Sequence, residues 1–186
     1  ETDDTNQVQV VLVHDAPPEP APASLLEKTV VSILSGGMAS RLFTEVREKR
    51  GLCYSVSAGY RGDRDFGAVT AYVGTTPERA QESLDVLLAE LERPNREPEG
   101  VTDDEFRRAV VGMKSGLVFS GESTAARAGA LAADLYRLGR PRSLAELSGE
   151  IDALTLAGVR GYLRQRSLGR FTVQTLGPAP LRPHGT

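Results

Sequence analysis

Polar and apolar residues alternate in "QVQVVLVH" (Gln7–His14) before the run becomes continuously apolar, the pattern of a strand that passes from half to fully buried. Asp15–Ser24 holds four prolines in ten residues and reads as a loop. Leu25–Leu34 is apolar with weak helical periodicity and stops at Gly36-Gly37, which predicts a helix ended by glycine. Ser40–Arg50 predicts a second helix: Leu42 and Val46 lie one turn apart, Glu45 can pair with Lys49, and Gly51 closes it. Leu52–Arg61 and Phe66–Gly74 are strand-like and flank "GDRD" (Gly62–Asp65), a hairpin turn.

The second half is helical and well punctuated. Thr76-Pro77-Glu78 reads as an N-cap with proline at the first helical position, ahead of an apolar face of Ala80, Leu84, Leu87, Leu88 and Leu91. Thr102…Glu105 forms a capping box before Phe106, Ala109, Val110, Met113 and Leu117. "SGEST" (Ser120–Thr124) interrupts, and a further helix runs to Gly139. Ser143…Glu146 reads as another capping box, leading to Leu147, Ile151 and Leu154, and Thr155–Arg166 as a last helix. "RFTVQTLGP" (Arg170–Pro178) is a closing strand. Strands and helices are partly segregated. The fold class is therefore α+β, a two-layer sandwich in which one mainly antiparallel sheet carries helices on one face. Residues 1–178 read as a single domain and 179–186 as a tail.

At 186 residues the chain suffices for one domain with a real core. Apolar residues at 40% and charged residues at 25% are ordinary for a soluble globular protein, and a net charge of −3 points to neither nucleic acid nor a lipid surface. The 19 arginines against 3 lysines suit carboxylate binding, though codon usage explains the bias more simply. No apolar run approaches the roughly 20 residues that span a membrane, and no signal peptide is legible. A start at Glu1 without Met suggests a processed protein or an excised piece. A soluble, cytoplasmic setting is the expectation, with no address readable from the N-terminus.

Chemistry-bearing motifs are sparse. His14 and His184, one ending a strand and one in the tail, have no second His or Cys at ligand spacing, so no metal site is expected in this chain. Cys53, the single cysteine, sits in an apolar strand segment and reads as a small buried side chain, not as a reactive thiol. No G-x-S-x-G elbow follows a strand. Asp103-Asp104 complements a helix N-terminus, and Asp63 and Asp65 are turn chemistry. The backbone N–H groups at Gly36-Gly37 could receive a phosphate, a carboxylate or a peptide carbonyl; a plain interhelical turn explains the pair as well. Arg47 lies at the border of an apolar helix face and Tyr54 in a strand. By themselves such residues are more often a solvated charge and a core ring than ligand contacts.

Taken together, "GGMASRLFTEVREKRGLCYSV" resembles a signature of the C-terminal half-domain of the pitrilysin/insulinase-type zinc peptidases. These are the inverzincins, which include the mitochondrial processing peptidase. The pattern is approximately G-G-x-x-S-R-L-F…R-E-x-x-G-L-x-Y-x-V. Gly36, Gly37, Ser40, Arg41, Leu42, Phe43, Arg47, Glu48, Gly51, Leu52, Tyr54 and Val56 fit it. A looser similarity follows the family's order through "GTTPERAQESLDVLLAEL", "GVTDDEFRRAVVGMKSGL" and "GRPRSLAELSGEIDALTLAGVRGYL".

The resemblance implies two homologous halves around an enclosed chamber. One half carries H-x-x-E-H and holds zinc; the other contributes an Arg and a Tyr seven residues apart, the spacing of Arg47 and Tyr54. Arg47 would grip a peptide carbonyl or carboxylate and Tyr54 would donate to the developing oxyanion. Gly36 and Gly37 would be substrate-binding, at a place where the mitochondrial enzyme's non-catalytic subunit has a longer glycine-rich loop. Zinc would sit on the partner half, joined covalently or as a separate subunit. Peptide would bind in extended form at a sheet edge, and this chain alone would be inactive. The alternative is a non-catalytic assembly subunit of the same family; a third reading is an anion-binding module at the Gly36-Gly37 helix end.

Overall fold

The alternation along the first strand sorts its side chains cleanly. In β1 (Val8–Ala16), Val8, Val10, Leu12 and His14 are buried, while Gln9, Val11 and Val13 face the other way. This computed structural model describes residues 5–182. β1 lies inside a four-stranded antiparallel sheet with β2 (Cys53–Gly62), β3 (Gly67–Thr75) and β4 (Thr172–Leu176), in the order β2-β3-β1-β4. The register aligns Val173, Leu12, Ala71 and Ala58 in one row across the sheet, all on the face that the helices cover. Gln174, Val11, Tyr72 and Ser57 form the neighbouring row on the open face.

Two helices, α1 (Ser24–Ser35) and α2 (Ala80–Arg96), close the covered face with Val30, Ile33, Leu34, Leu84, Leu87, Leu88 and Leu91. Each such fully buried aliphatic side chain contributes about 1.5–3 kcal/mol of transfer free energy. α3 (Asp103–Glu122), α4 (Thr124–Leu138) and α5 (Leu144–Asp152) form an outer group, and α6 (Leu156–Gln165) sends Val159 and Leu163 into the core. The outcome is the expected α+β arrangement of one antiparallel sheet with its helices on one face.

Charge is also sealed under the helices. Glu27 of α1 is fully buried, and Arg166 grips it with two bonds, Nη2 to Oε1 at 2.6 Å and Nε to Oε2 at 2.7 Å. Tyr162 Oη donates to the same carboxylate at 2.6 Å, and Asn95 Oδ1 accepts from Arg166 Nη1 at 2.7 Å. His14, on an inner strand and not at an edge, lies beside Arg166 with Nδ1 on the Asp15 carbonyl at 2.8 Å and its ring edge-on to Phe171. A buried ion pair holds only when its remaining lone pairs and protons are satisfied, as they are here.

Several local expectations change. Phe43–Glu48, expected as α-helix, winds as a π-helical turn, with Lys49 N–H reaching back to the Thr44 carbonyl at 2.9 Å. The wider winding still buries both Leu42 and Val46. Thr76 makes no side-chain cap, and a short 3-10 turn over Pro77–Arg79 leads into α2 instead. The Thr102–Glu105 capping box is complete. At Ser143 the hydroxyl accepts from Glu146 N–H at 3.1 Å, and the Glu146 carboxylate, still within reach of the Ser143 backbone, bonds Arg140 at 2.6 Å. At the start of the expected tail, Leu181 packs against the core and Arg182 N–H donates to Gln81 Oε1 at 3.0 Å. His184 lies outside the described residues.

Candidate functional site

The return from the π-helical turn into β2 is tight. Gly51 adopts φ +60° and its N–H donates to the Arg47 carbonyl at 3.0 Å; Leu52 N–H donates to Val46 at 3.0 Å. Only glycine takes that conformation without strain. The return brings Arg47 and Tyr54 to the same end of β2. Arg47 is exposed, with its guanidinium 5.0 Å from the centre of the Phe43 ring, and it has no carboxylate partner among the described residues. It stands close enough to Cys53 for its charge to act on the thiol. Burial pushes that thiol up and Arg47 opposes it, so the half-buried Cys53 stays a thiol.

Tyr54 is delivered by a β-bulge. Cys53 pairs with Thr75 and Ser55 with Gly74, which leaves Tyr54 as the extra residue of β2. Side-chain alternation in a strand has a period of two, so one inserted residue reverses its phase. Cys53 and Val56 can then both pack toward the helix layer, while Tyr54 turns onto the open face and remains 50% exposed. Its ring crosses β3 at Gly74: a Cβ there would lie 2.8 Å from Tyr54 Cζ and 2.7 Å from its hydroxyl. Tyr54 Oη donates to Gln7 Oε1 at 3.2 Å, and Tyr72 Oη donates to Gln9 Oε1.

Gly36 and Gly37 serve the local chain path. Gly36 caps α1 with its N–H on the Ser32 carbonyl at 2.7 Å, and a Cβ there would meet that oxygen at 2.3 Å. Gly37 takes φ +146°. The loop borders a cleft of about 440 Å³ with Ile33, Met38, Ala109 and Val111 among its lining. Neither Arg47 nor Tyr54 lines that cleft, so the four residues singled out from the sequence fall in two places. Arg41 of the signature has a structural duty. It holds Glu105 bidentately at 2.7 and 2.9 Å and donates to the Gly100 carbonyl at 2.8 Å. The edge of β2 is partly covered, since Ala58 N–H donates to Ser35 Oγ at 2.8 Å.

Among the described residues no three His, Cys, Asp or Glu side chains group as a metal would need. His14 is committed to Asp15 and Arg166, and Cys53 stands alone, so these residues do not fit a zinc site. No helix among the described residues is long and apolar enough to cross a membrane. Sequence reasoning missed Tyr72, Gln9 and Gly74. A glycine inside a strand signals a close approach of another group, and that was the one available hint.

A sequence model of the family described as "Peptidase M16 inactive domain" matches residues 1–113. The uncharacterized zinc protease YmxG of Bacillus subtilis is 32% identical over 155 residues, covering 82% of this chain and 37% of the relative. An uncharacterized zinc protease of Mycobacterium tuberculosis is 34% identical over 153 residues, 82% of this chain and 33% of the relative. The chain thus spans about a third of the length of these curated relatives. Among solved structures, a peptidase M16 inactive domain from Pseudomonas fluorescens superimposes with a TM-score of 0.80 at 22% identity, over 97% of this chain and 43% of that one. A protease from Helicobacter pylori does so at 0.78 and 18% identity, over 95% and 43%. At these identities the structures speak for the fold.

Proposed function

The chain belongs to the peptidase M16 family, as one of its inactive domains, and we propose that it is the substrate-binding, non-zinc half of a zinc metalloendopeptidase. It completes an active site opposite a zinc-bearing half and is inactive alone. The observation that carries this reading is the bulge, which turns Tyr54 onto the open face at the end of β2 where Arg47 stands without a carboxylate partner among the described residues. The zinc-protease names of the relatives support the reaction class. The described residues do not fit zinc, so the metal is assigned to the other half.

Arg47 grips a carbonyl or carboxylate of an extended peptide with its planar fork. Tyr54 donates its hydroxyl proton in a hydrogen bond to the oxygen of the scissile carbonyl as negative charge develops there. Gly36 and Gly37 contribute backbone to the same peptide's path.

The test is peptide cleavage by this domain and its zinc-bearing half together, followed with quenched fluorescent peptides. Cleavage is expected only with both halves present. Tyr54→Phe should lower kcat by about 10²–10³, the usual cost of one oxyanion donor. Arg47→Ala should act mainly on KM. Halves that associate and cleave with neither substitution mattering would assign the domain to assembly instead.

A further inference from the structure

The open face of the sheet holds a cluster around Tyr54 whose other members the proposed chemistry does not use. Four side chains converge above Gly74: Tyr54 from the bulge, Tyr72 from β3, Gln9 from the start of β1 and Gln7 just before it. Gln9 pairs with Gly74 directly across the ladder. A Cβ built on Gly74 would sit 2.6 Å from Tyr72 Oη and 2.7 Å from Tyr54 Oη, so both hydroxyls occupy the space that this glycine leaves open. Exposure grades across the cluster. Tyr72 and Gln9 are half-buried, Tyr54 is half exposed, and Gln7 is exposed. The anchored end of the cluster is therefore Tyr72–Gln9, and its exchangeable end is Gln7.

We propose that Tyr72 is a positioning residue for Tyr54: held by Gln9, it fixes the Tyr54 hydroxyl above Gly74, so that a peptide carbonyl oxygen takes the acceptor place that Gln7 Oε1 fills here. The inference rests on the functional reading given above and concerns how that site is set. The acceptor that Tyr54 uses is a carboxamide oxygen, chemically the same group as a peptide carbonyl, on an exposed side chain that a ligand can displace. Titration behaviour agrees with the geometry. Burial, followed by the contact with Tyr54, pushes Tyr72 up to about 12, so it remains a protonated donor at any working pH. Contacts from Gln9 and then from Tyr72 lower Tyr54, which makes its proton a better donor to a developing oxyanion.

A double-mutant cycle in the assembled peptidase, this domain with its zinc-bearing half, tests the proposal. Tyr72→Phe should lower kcat by about 10- to 100-fold with little change in KM, the cost of a misplaced donor. In a Tyr54→Phe background the same substitution should cost almost nothing. The alkaline limb of kcat/KM should move to higher pH in Tyr72→Phe, because a contact that lowers Tyr54 is gone. Gln9→Leu should reproduce both effects through the other end of the anchor. Equal losses from Tyr72→Phe in both backgrounds, or an unmoved alkaline limb, would overturn the positioning role while leaving the site intact. If Tyr54→Phe is itself without effect, the functional reading fails, and the positioning role falls with it.

Discussion

The two faces of this sheet each carry a polar network, and the networks are built by opposite rules. Under the helices, Tyr162, Asn95 and His14 surround the charged pair Glu27–Arg166 in a sealed cluster, with the Glu27 and Arg166 side chains 1% and 3% exposed. On the open face, Tyr54, Tyr72, Gln7 and Gln9 form a neutral cluster that thins toward solvent. The sealed network spans α1, α2, α6 and β1, and neither charge can be released, because losing Glu27 or Arg166 leaves the other buried and unpaired. The open network has a carboxamide acceptor at its rim that water or peptide can replace at small cost. Burial decides which cluster ties the architecture and which can meet a ligand.

The largest effect belongs to the sealed side. Arg166→Met leaves the Glu27 carboxylate buried with Tyr162 as its remaining donor, and should destabilise the domain by about 3–5 kcal/mol. Folded domains hold only about 5–15 kcal/mol in total, so the urea midpoint should fall steeply. The double variant Glu27→Met/Arg166→Met removes both charges and should recover most of that loss. A single variant that loses under about 1 kcal/mol would mean that water reaches Glu27 and that the contrast between the faces is false.

Acid should act on the covered side next, in two stages of the same sign. Burial lowers His14 most, and the Arg166 charge adds to it, against the Asp15 carbonyl and the charges of Glu27 and Asp15. Its folded pKa therefore lies below the ordinary 6.5, so stability is full above that value and falls as the pH drops below it. Burial pushes Glu105 up, but Arg41 and the Thr102 N–H outweigh it and hold the carboxyl at about 2, against 4.5 unperturbed. That contribution is present above 4.5 and is lost as the pH falls toward 2. With the Glu105 side chain 18% exposed, it is worth on the order of 2 kcal/mol. Urea midpoints from pH 7 to 3 should fall for the wild type, and Glu105→Gln should flatten the part below pH 4.5. An unchanged slope in that variant would remove Glu105 from the account.

How much of this was legible beforehand follows the range of the interactions. β1, α1, the hairpin and the Thr102 cap are local patterns, and they form where alternation and capping predict. The π winding of Phe43–Glu48 was not legible, because Leu42 and Val46 at a spacing of four suit either helix. The burial of Glu27 has no local signal, since its partner Arg166 is 139 residues away. Arg47 and Tyr54 stood out only through their place in a longer signature; as single residues they were ordinary. Tyr72, Gln9 and Gly74 depend on the register of β1 against β3 and on the bulge at Tyr54, and alternation specifies neither.

The smallest effect is the sharpest probe of the contrast. Gln7→Ala removes the acceptor of the Tyr54 hydroxyl and frees Gln9 Nε2 from its 3.5 Å contact. Gln7 is exposed and precedes β1, so water replaces both contacts and the fold should not register the change beyond about ±0.5 kcal/mol. Thermal and urea unfolding of the variant measure this directly. A loss above about 1 kcal/mol would mean that the open-face cluster holds β1 to the sheet as the sealed cluster holds the helices. Gln7 could not then yield its place to a peptide without loosening the domain. An unchanged midpoint leaves the open face free to exchange its outermost partner while Tyr72 and Gln9 keep Tyr54 in place.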